Sequence, residues 1–132
     1  MMTLLRTGAR ARRILVIDDE PGIRSFASRA LSSAGFIVEE AAGGGEGLRM
    51  ALSDARDLVL LDLGLPDLPG EAVLRRLHQQ RPRQAVLVWS ATADQQAQRR
   101  CLMLGARAYL HKPLSLADLL SAIAAPASGR HA

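Results

Sequence analysis

Five short apolar runs recur along the chain, each followed by a longer segment in which apolar and polar residues are mixed. Runs of this kind, rich in Val, Ile and Leu and without polar alternation, are typical of parallel strands that are covered on both faces. The pattern therefore predicts five buried strands. They are Ile14–Ile17, Phe36–Val38, Leu58–Leu61, Ala85–Trp89 and Arg107–Leu110.

The segments between and after these runs carry apolar residues at helical spacing. Pro21 suits the first turn of the first predicted helix, and Gly35 suits its end. The last helix is opened by Ser115, with Asp118 three residues later, which is the pattern of a capping box. The apolar positions of the first helix are Ile23, Phe26, Ala27, Ala30, Leu31 and Ala34, and those of the last are Leu116, Leu119, Leu120 and Ile123.

Strand and helix thus alternate five times, which is a (βα)5 order. Such alternation implies parallel strands joined by right-handed helical crossovers. Five units are too few to close an eight-stranded barrel. We therefore predict an α/β fold with a doubly wound, open, five-stranded parallel sheet, and a functional site at the carboxyl ends of its strands.

Side chains capable of chemistry stand at the ends of four of the five runs. Asp and Ser also favour helix N-caps, but Asp62 precedes its helix by too many residues to cap it. Because the carboxyl ends of parallel strands meet at one edge of the sheet, these side chains predict a site there. They are Asp18, Asp19 and Glu20 after the first run, Asp62 after the third, Ser90 after the fourth, and His111 and Lys112 after the fifth.

Three of these carboxylates, Asp18, Asp19 and Asp62, converge if the first and third strands are neighbours. Two like charges 4 Å apart repel by about 4 kcal/mol at an effective dielectric of 20, so the cluster requires a counter-charge or shifted pKa values. Mg²⁺ prefers oxygen ligands and keeps positions open for water and phosphate. Zinc is disfavoured because no His or Cys lies at ligand spacing. Lys112 would supply a second positive charge.

Composition and charge restrict the class of protein. The chain has 132 residues, of which 48% are hydrophobic, enough for one domain with a real core. No apolar run approaches the roughly 20 residues of a membrane helix. A net charge of +4 is weak evidence for nucleic-acid binding, because four basic residues cluster near the start of the chain. We expect a flexible basic arm at 1–12, a domain at 13–125 and a flexible tail at 126–132.

Two residue counts add to this picture. Cys101 is the only cysteine, which rules out an internal disulfide framework and suits the reducing cytoplasm. Lys112 is the only lysine among 17 basic side chains, and it stands at one of the strand ends.

The ordered set of strand-end motifs resembles the receiver domain of bacterial two-component response regulators. The resemblance covers about residues 13–125 and implies a flavodoxin-like sheet with strand order 2-1-3-4-5. It is carried by Asp18-Asp19-Glu20-Pro21, Asp62 in LVLLDLGLPDLPG, Ser90-Ala91 and Tyr109-Leu-His-Lys112-Pro113.

The resemblance implies a chemical role for each residue of the acidic site. Asp62 would accept a phosphoryl group from a sensor histidine kinase or a phosphotransfer protein. Asp18 and Asp19 would hold Mg²⁺ together with Asp62 and the backbone carbonyl of Gly64. Lys112 would contact the phosphoryl group, aimed by a cis Lys112–Pro113 bond. A carboxylate can act as a nucleophile towards phosphorus, and phosphoryl transfer mainly requires positioning and charge neutralisation.

The resemblance also implies a switch. The hydroxyl of Ser90 would move to bind the phosphoryl group, and the ring of Tyr109 would turn inward. These movements would alter a face made of helix 4, strand 5 and helix 5, through which a homodimer or a downstream protein binds. The chain would catalyse only its own phosphorylation and slow dephosphorylation, so we do not expect a metabolic enzyme.

Three other functions compete with this interpretation. A dinucleotide-binding sheet has a glycine-rich turn after its first strand, whereas the acidic turn here would repel phosphate without a metal. An aspartyl phosphatase of the haloacid-dehalogenase type has a second Asp two residues after the nucleophile, where this chain has Gly64. A phosphate-independent pseudo-receiver would typically lack an acid, the lysine or the hydroxyl, and all are present here. We expect Gly43-Gly44-Gly45 to loosen a loop and Asp67 to serve a turn.

Overall fold

The computed structural model describes residues 12–124, in which five strands and five helices alternate. Residues 1–11 of the predicted arm and the predicted tail at 126–132 lie outside this described part. No helix within it is long and apolar enough to cross a membrane. The elements are β1 (Arg13–Ile17), α1 (Pro21–Ser33), β2 (Ile37–Ala41), α2 (Gly44–Ser53), β3 (Leu58–Asp62), α3 (Gly70–Gln80), β4 (Val86–Ser90), α4 (Gln95–Met103), β5 (Ala108–His111) and α5 (Leu116–Ala124).

The five strands form one parallel sheet in the order β2-β1-β3-β4-β5. This confirms the fold class and the strand order. The register aligns the ends of the strands: Ile17 lies opposite Leu61, Asp62 opposite Trp89, and Ser90 opposite His111. The carboxyl ends of β1, β3, β4 and β5 therefore reach the same edge of the sheet.

Two apolar clusters cover the two faces of the sheet. Successive strand residues point to opposite faces, so Leu61 packs with α2, α3 and α4, whereas Leu60 packs with α1 and α5. Every residue of β3 and β4 is buried, as expected for strands covered on both sides. On one face α2 lies so close to β1 that a Cβ on Gly47 would be 2.5 Å from Cδ1 of Ile17.

The prediction for β2 was wrong in two respects. The strand is not buried, since Ile37 is 52% exposed at the edge position that the predicted strand order gives it, and it covers Ile37–Ala41 instead of Phe36–Val38. The added residues Glu39 and Glu40 are charged, and each forms an ion pair with a basic residue: Glu39 with Arg56 at 2.7 Å and Glu40 with Arg24 at 3.0 Å. These ion pairs neutralise the two glutamates, so the strand can include charged residues although the prediction relied on an apolar run.

The first backbone N–H groups of a helix have no partner within the helix, and side chains can accept hydrogen bonds from them. Ser115 accepts a hydrogen bond from the backbone N–H of Asp118 at 3.0 Å, which confirms this bond of the predicted capping box. At α2 the expectation of a loosened loop is wrong, because Gly44 and Gly45 form the first turn of the helix.

Asp67, predicted to serve a turn, reaches from the loop after β3 to the start of α2. Its carboxylate accepts the N–H of Gly44 at 2.8 Å and the N–H of Gly45 at 3.0 Å, two donors that have no partner within the helix. A Cβ on Gly44 would lie only 2.5 Å from the carbonyl oxygen of Leu68, so this close approach requires glycine. The loop that follows Asp62 is thereby fixed to α2.

Substitution of Asp67 should destabilise the fold in a pH-dependent way. Hydrogen bonds from the backbone of Gly45 and Gly44 hold the pKa of Asp67 below its usual value. A lowered folded-state pKa gives stabilisation that is complete above the unfolded-state pKa of about 3.9 and is lost as the pH falls through the folded-state pKa. We expect Asp67→Ala to lower the free energy of unfolding at pH 7, measured by urea denaturation, and the difference from wild type to shrink in acid.

Asp118→Ala serves as a comparison, since it removes an exposed carboxylate from the first turn of α5 and shows the effect of a local helix-start acid without a contact between distant segments. A destabilisation by Asp67→Ala that stayed the same from pH 7 into the acid range would contradict the capping role.

Candidate functional site

Three carboxylates meet where β1 and β3 end side by side. Asp62 is the last residue of β3, and Asp18 and Asp19 directly follow β1. Carboxylate oxygens of all three lie within 4.8 Å of one another. Asp18 is completely buried and Asp62 is 5% exposed, while Asp19 is half-buried. The structure therefore brings together the three acids that the sequence analysis selected.

Lys112 extends from the end of β5 into this cluster. Its ammonium donates a hydrogen bond to Asp18 Oδ2 at 2.7 Å and lies 3.4 Å from Asp62 Oδ1 and 3.8 Å from Glu20 Oε1. The Lys112–Pro113 peptide bond is cis, as the family resemblance implies. Burial acts to lower the pKa of Lys112, but the hydrogen bond to Asp18 and the neighbouring negative charges outweigh it and raise the pKa. The ammonium is therefore charged at neutral pH.

The environment of Asp62 disfavours its negative charge. Burial raises the pKa of this carboxyl, and the charge of Asp18 raises it further. Lys112 and the backbone N–H of Gly64, which donates to Asp62 Oδ1 at 3.3 Å, act in the opposite direction without cancelling the rise. The Asp62 carboxylate thus has less positive charge around it than its ionised form requires.

The net charge of the cluster suits the binding of a hard divalent cation. With all groups ionised, the three clustered carboxylates and the single ammonium leave two negative charges. Oxygen ligands without nitrogen or sulfur suit Mg²⁺ and do not suit zinc. The donor set of Asp18, Asp19 and Asp62 therefore fits the metal that the sequence predicts.

The cluster opens into a cavity of about 510 Å³, large enough for a small phosphate compound and water. Glu71, at the start of α3, also lines this cavity and was not among the site residues predicted from the sequence. Both of its carboxylate oxygens accept hydrogen bonds from Arg100 of α4, each at 2.9 Å. An acid in the first turn of a helix is ordinary, so the sequence carried no sign that Glu71 reaches the site.

Ser90 and Tyr109 both contact the loop after β4. Ser90, the last residue of that strand, is 4% exposed, and its hydroxyl oxygen accepts the N–H of Thr92 at 3.2 Å. The hydroxyl of Tyr109 donates to the backbone carbonyl of Thr92 at 3.1 Å. The Tyr109 ring is already buried here and touches the edge of the exposed His111 ring. The two predicted switch residues are therefore linked through one residue, Thr92.

Trp89 lies beside the acidic cluster on β4. Its Cα is the register partner of Asp62, its side chain is 2% exposed, and its ring centroid lies 5.0 Å from Lys112 Nζ. The indole N–H is buried and has no hydrogen-bond partner among residues 12–124. An unpaired buried donor costs about 1–3 kcal/mol, so the packing of the ring must outweigh that cost.

Comparison with known proteins points to one family. The family described as "Response regulator receiver domain" matches residues 14–124. The probable transcriptional regulatory protein SilR of Salmonella typhimurium is 34% identical over 111 residues, which are 84% of this chain and 49% of that protein. The response regulator MprA of Mycobacterium ulcerans is 38% identical over 109 residues, 83% of this chain and 47% of that protein. The chain spans about half the length of these curated relatives.

Solved structures show the same relationship. A CheY-like response regulator receiver domain protein from Methanospirillum hungatei superposes with a TM-score of 0.86 at 32% identity, covering 92% of this chain and 98% of that one. A receiver domain from Clostridium thermocellum gives a TM-score of 0.80 at 33% identity, covering 85% and 90% of the two chains. The family match over residues 14–124 and these superpositions show that the chain belongs to the receiver domains of two-component response regulators.

Proposed function

We propose that this chain is a signalling switch that accepts a phosphoryl group on Asp62 and responds by changing the face formed by α4, β5 and α5. The observation that carries the proposal is the position of the Asp62 carboxylate. It lies 3.4 Å from the only lysine, within a cluster of acids, at the wall of a cavity open to solvent. A phosphate-independent pseudo-receiver is less well supported, because the acids, the lysine and the hydroxyl are all present.

The proposed chemistry is a direct phosphoryl transfer. An oxygen of the Asp62 carboxylate attacks phosphorus, and an O–P bond forms while the bond from phosphorus to the donor breaks. The donor is a phosphohistidine of a histidine kinase or phosphotransfer protein, or a small acyl phosphate, and it leaves with the electron pair of the broken bond. Lys112 holds positive charge beside the oxygens of the transferred group.

Asp18, Asp19 and Asp62, with the backbone carbonyl of Gly64, would hold Mg²⁺. The bound ion would supply further positive charge for the phosphoryl oxygens and would relieve the repulsion among the carboxylates.

The proposed switch runs through the loop after β4. A phosphoryl group on Asp62 attracts the hydroxyl of Ser90, whose oxygen accepts the N–H of Thr92 in the present structure. Thr92 also holds the Tyr109 hydroxyl through its carbonyl, so a shift of this loop reaches β5. A local change in charge thereby biases a two-state element.

The proposed mechanism implies two kinds of partner, one that donates the phosphoryl group and one that binds the altered face. The phosphodonor is a sensor histidine kinase or a phosphotransfer protein, and the output is a homodimer or a downstream protein bound at the face of α4, β5 and α5. Leu102 and Met103 of α4 are 43% and 87% exposed, and they offer apolar surface for such contacts. We assign no direct nucleic-acid contact to this chain, and we place it in the cytoplasm, where the unpaired thiol of Cys101 remains reduced.

Mg²⁺ binding should be visible through Trp89, the only tryptophan. We expect titration with Mg²⁺ to quench or shift its fluorescence with weak affinity and to raise the thermal stability, because the ring lies 5.0 Å from an ammonium whose carboxylate partners the ion would share. Asp19→Ala should weaken both responses. Identical titrations for wild type and Asp19→Ala, or no response in either measurement, would contradict the metal site.

Phosphorylation should be confined to Asp62. Incubation with acetyl phosphate and Mg²⁺ should add one phosphoryl group to the intact protein, measured by mass spectrometry. Asp62→Asn should remain unmodified because an amide is not a nucleophile of this kind. Asp118→Asn is a matched control at an exposed aspartate and should be modified like wild type. Equal modification of wild type and Asp62→Asn would exclude this assignment, and an unmodified wild type would favour the pseudo-receiver.

The substitution Lys112→Arg keeps the positive charge of the side chain but changes its shape. The side chain is 9% exposed and sits among Asp18, Asp62 and Glu20, so a broad planar guanidinium should fit poorly where a compact ammonium fits. We expect the variant to keep its fold and its Mg²⁺ binding but to lose most of the phosphorylation-induced change at the face of α4, β5 and α5. Amide chemical shifts with and without acetyl phosphate measure that change. Shifts equal to those of wild type would show that positive charge alone suffices.

A further inference from the structure

We infer that Trp89 is a positioning residue, which holds the Lys112 ammonium in place for phosphoryl transfer through the face of its indole ring. The inference rests on the proposed function of Asp62 and assigns a role to a residue that does not itself contact the reacting atoms.

The first observation is the distance between the ring and the ammonium. Lys112 Nζ lies 5.0 Å from the centroid of the Trp89 ring, within the range of about 6 Å in which a cation is attracted to an aromatic face. The same nitrogen is bonded to Asp18 at 2.7 Å and lies 3.4 Å from Asp62. The ammonium therefore has an aromatic partner in addition to its carboxylates. Both Lys112 and Trp89 are shielded from water, which strengthens such a contact.

The second observation is the unpaired indole N–H. Trp89 belongs to an apolar cluster with Leu60, Leu87 and Leu110, and an aliphatic residue could fill such a position without burying a donor. Within the part of the chain that the structure describes, the N–H makes no hydrogen bond, so a hydrogen bond is not what fixes this residue in the cluster. What distinguishes tryptophan from leucine at this position is the large aromatic face beside Lys112.

The third observation is a second cavity next to the lysine. Besides the cavity of the acidic site, Lys112 lines an apolar cavity of about 360 Å³, whose walls include Trp89, Phe26 and Leu114. The long lysine side chain thus borders free space in two directions. Attraction to the indole ring favours the one position in which the ammonium also meets Asp18 and Asp62.

The test compares two substitutions at Trp89 with a control on the same strand. Trp89→Phe keeps an aromatic ring, and Trp89→Leu keeps only apolar bulk. Leu87→Val is the control, because Leu87 belongs to the same cluster two residues earlier on β4 and is register partner of Ala108 rather than of a site residue. Each protein is first shown to be folded by urea denaturation.

Two quantities are then measured in the full chain with Mg²⁺. One is the rate of phosphorylation by acetyl phosphate. The other is the NMR chemical shift of the lysine side-chain protons next to the ammonium. Because Lys112 is the only lysine, selective isotope labelling of lysine gives the signals of this one side chain. An aromatic face shields protons lying over it, so this shift reports the contact independently of phosphorylation.

We expect the Lys112 protons of wild type to be shifted upfield from those of free lysine, the shift to be partly kept in Trp89→Phe, and to disappear in Trp89→Leu. The phosphorylation rate should fall by about 5- to 30-fold in Trp89→Leu, the factor that corresponds to a shielded cation–π contact of about 1–2 kcal/mol. Trp89→Phe should recover most of the rate, and Leu87→Val should match wild type in both measurements.

Two results would overturn the inference. One is a wild-type rate in Trp89→Leu despite loss of the upfield shift, which would show that the contact has no part in positioning. The other is an equal loss of rate in Trp89→Phe, Trp89→Leu and Leu87→Val, which would assign the effect to packing. Failure of the proposed function has a different signature, since wild type would then take up no phosphoryl group while the upfield shift remained.

Discussion

The repulsion among three carboxylates at the end of β1 and β3 is the constraint on which the rest of the site depends. At the separations found here, two such charges repel by several kcal/mol at an effective dielectric of about 20. Lys112 compensates only part of this charge, and the pKa of Asp62 stays raised because burial and Asp18 act against its ionisation. A cluster in this condition favours a cation, and this is the basis for the Mg²⁺ and the phosphoryl group that we propose at Asp62.

Many favourable contacts elsewhere in the fold offset the electrostatic repulsion among the three carboxylates. The parallel register places the end of β3 next to the end of β1, and two apolar clusters cover the faces of the sheet. The loop after Asp62 is fixed at its far end, where Asp67 caps the start of α2. These contacts hold the backbone of Asp18 and Asp62 close together despite the repulsion between their carboxylates.

The pattern of apolar residues predicted the strands that are buried along their whole length. It failed for β2, where charged residues are neutralised by residues distant in sequence. The apolar runs gave β1, β3 and β4 to within a residue, because these strands are buried along their length. β2 was misjudged since Glu39 and Glu40 are neutralised by Arg56 and Arg24, which lie at least 16 residues away in sequence.

The residues of the candidate site divide in the same way: those marked by a local pattern could be predicted, and those placed by distant contacts could not. Asp18, Asp62 and Lys112 could be predicted because each stands at the end of a strand or directly after it, and strand ends of a parallel sheet share an edge. Glu71 lies on a helix, and its place in the site depends on how α3 packs against α4, which no local pattern encodes. The capping of α2 by Asp67 is likewise a contact across more than 20 residues, so the acid was visible in the sequence and its partner was not.

The strengths of the hydrogen bonds indicate why one phosphoryl group is enough to drive the proposed switch. The bond from Thr92 N–H to Ser90 is 3.2 Å long and joins two neutral groups, as does the bond from Tyr109 to Thr92. Bonds of this kind contribute about 0.5–1.5 kcal/mol, whereas a bond to a charged oxygen contributes about 1.5–3 kcal/mol. A phosphoryl oxygen at Asp62 would accept the O–H of Ser90, whereas the N–H of Thr92 uses a lone pair of the same hydroxyl, so the stronger bond would draw Ser90 towards Asp62 without first breaking the weaker one. Since Thr92 links Ser90 to Tyr109, such a shift of Ser90 would reach the ring in the proposed switch.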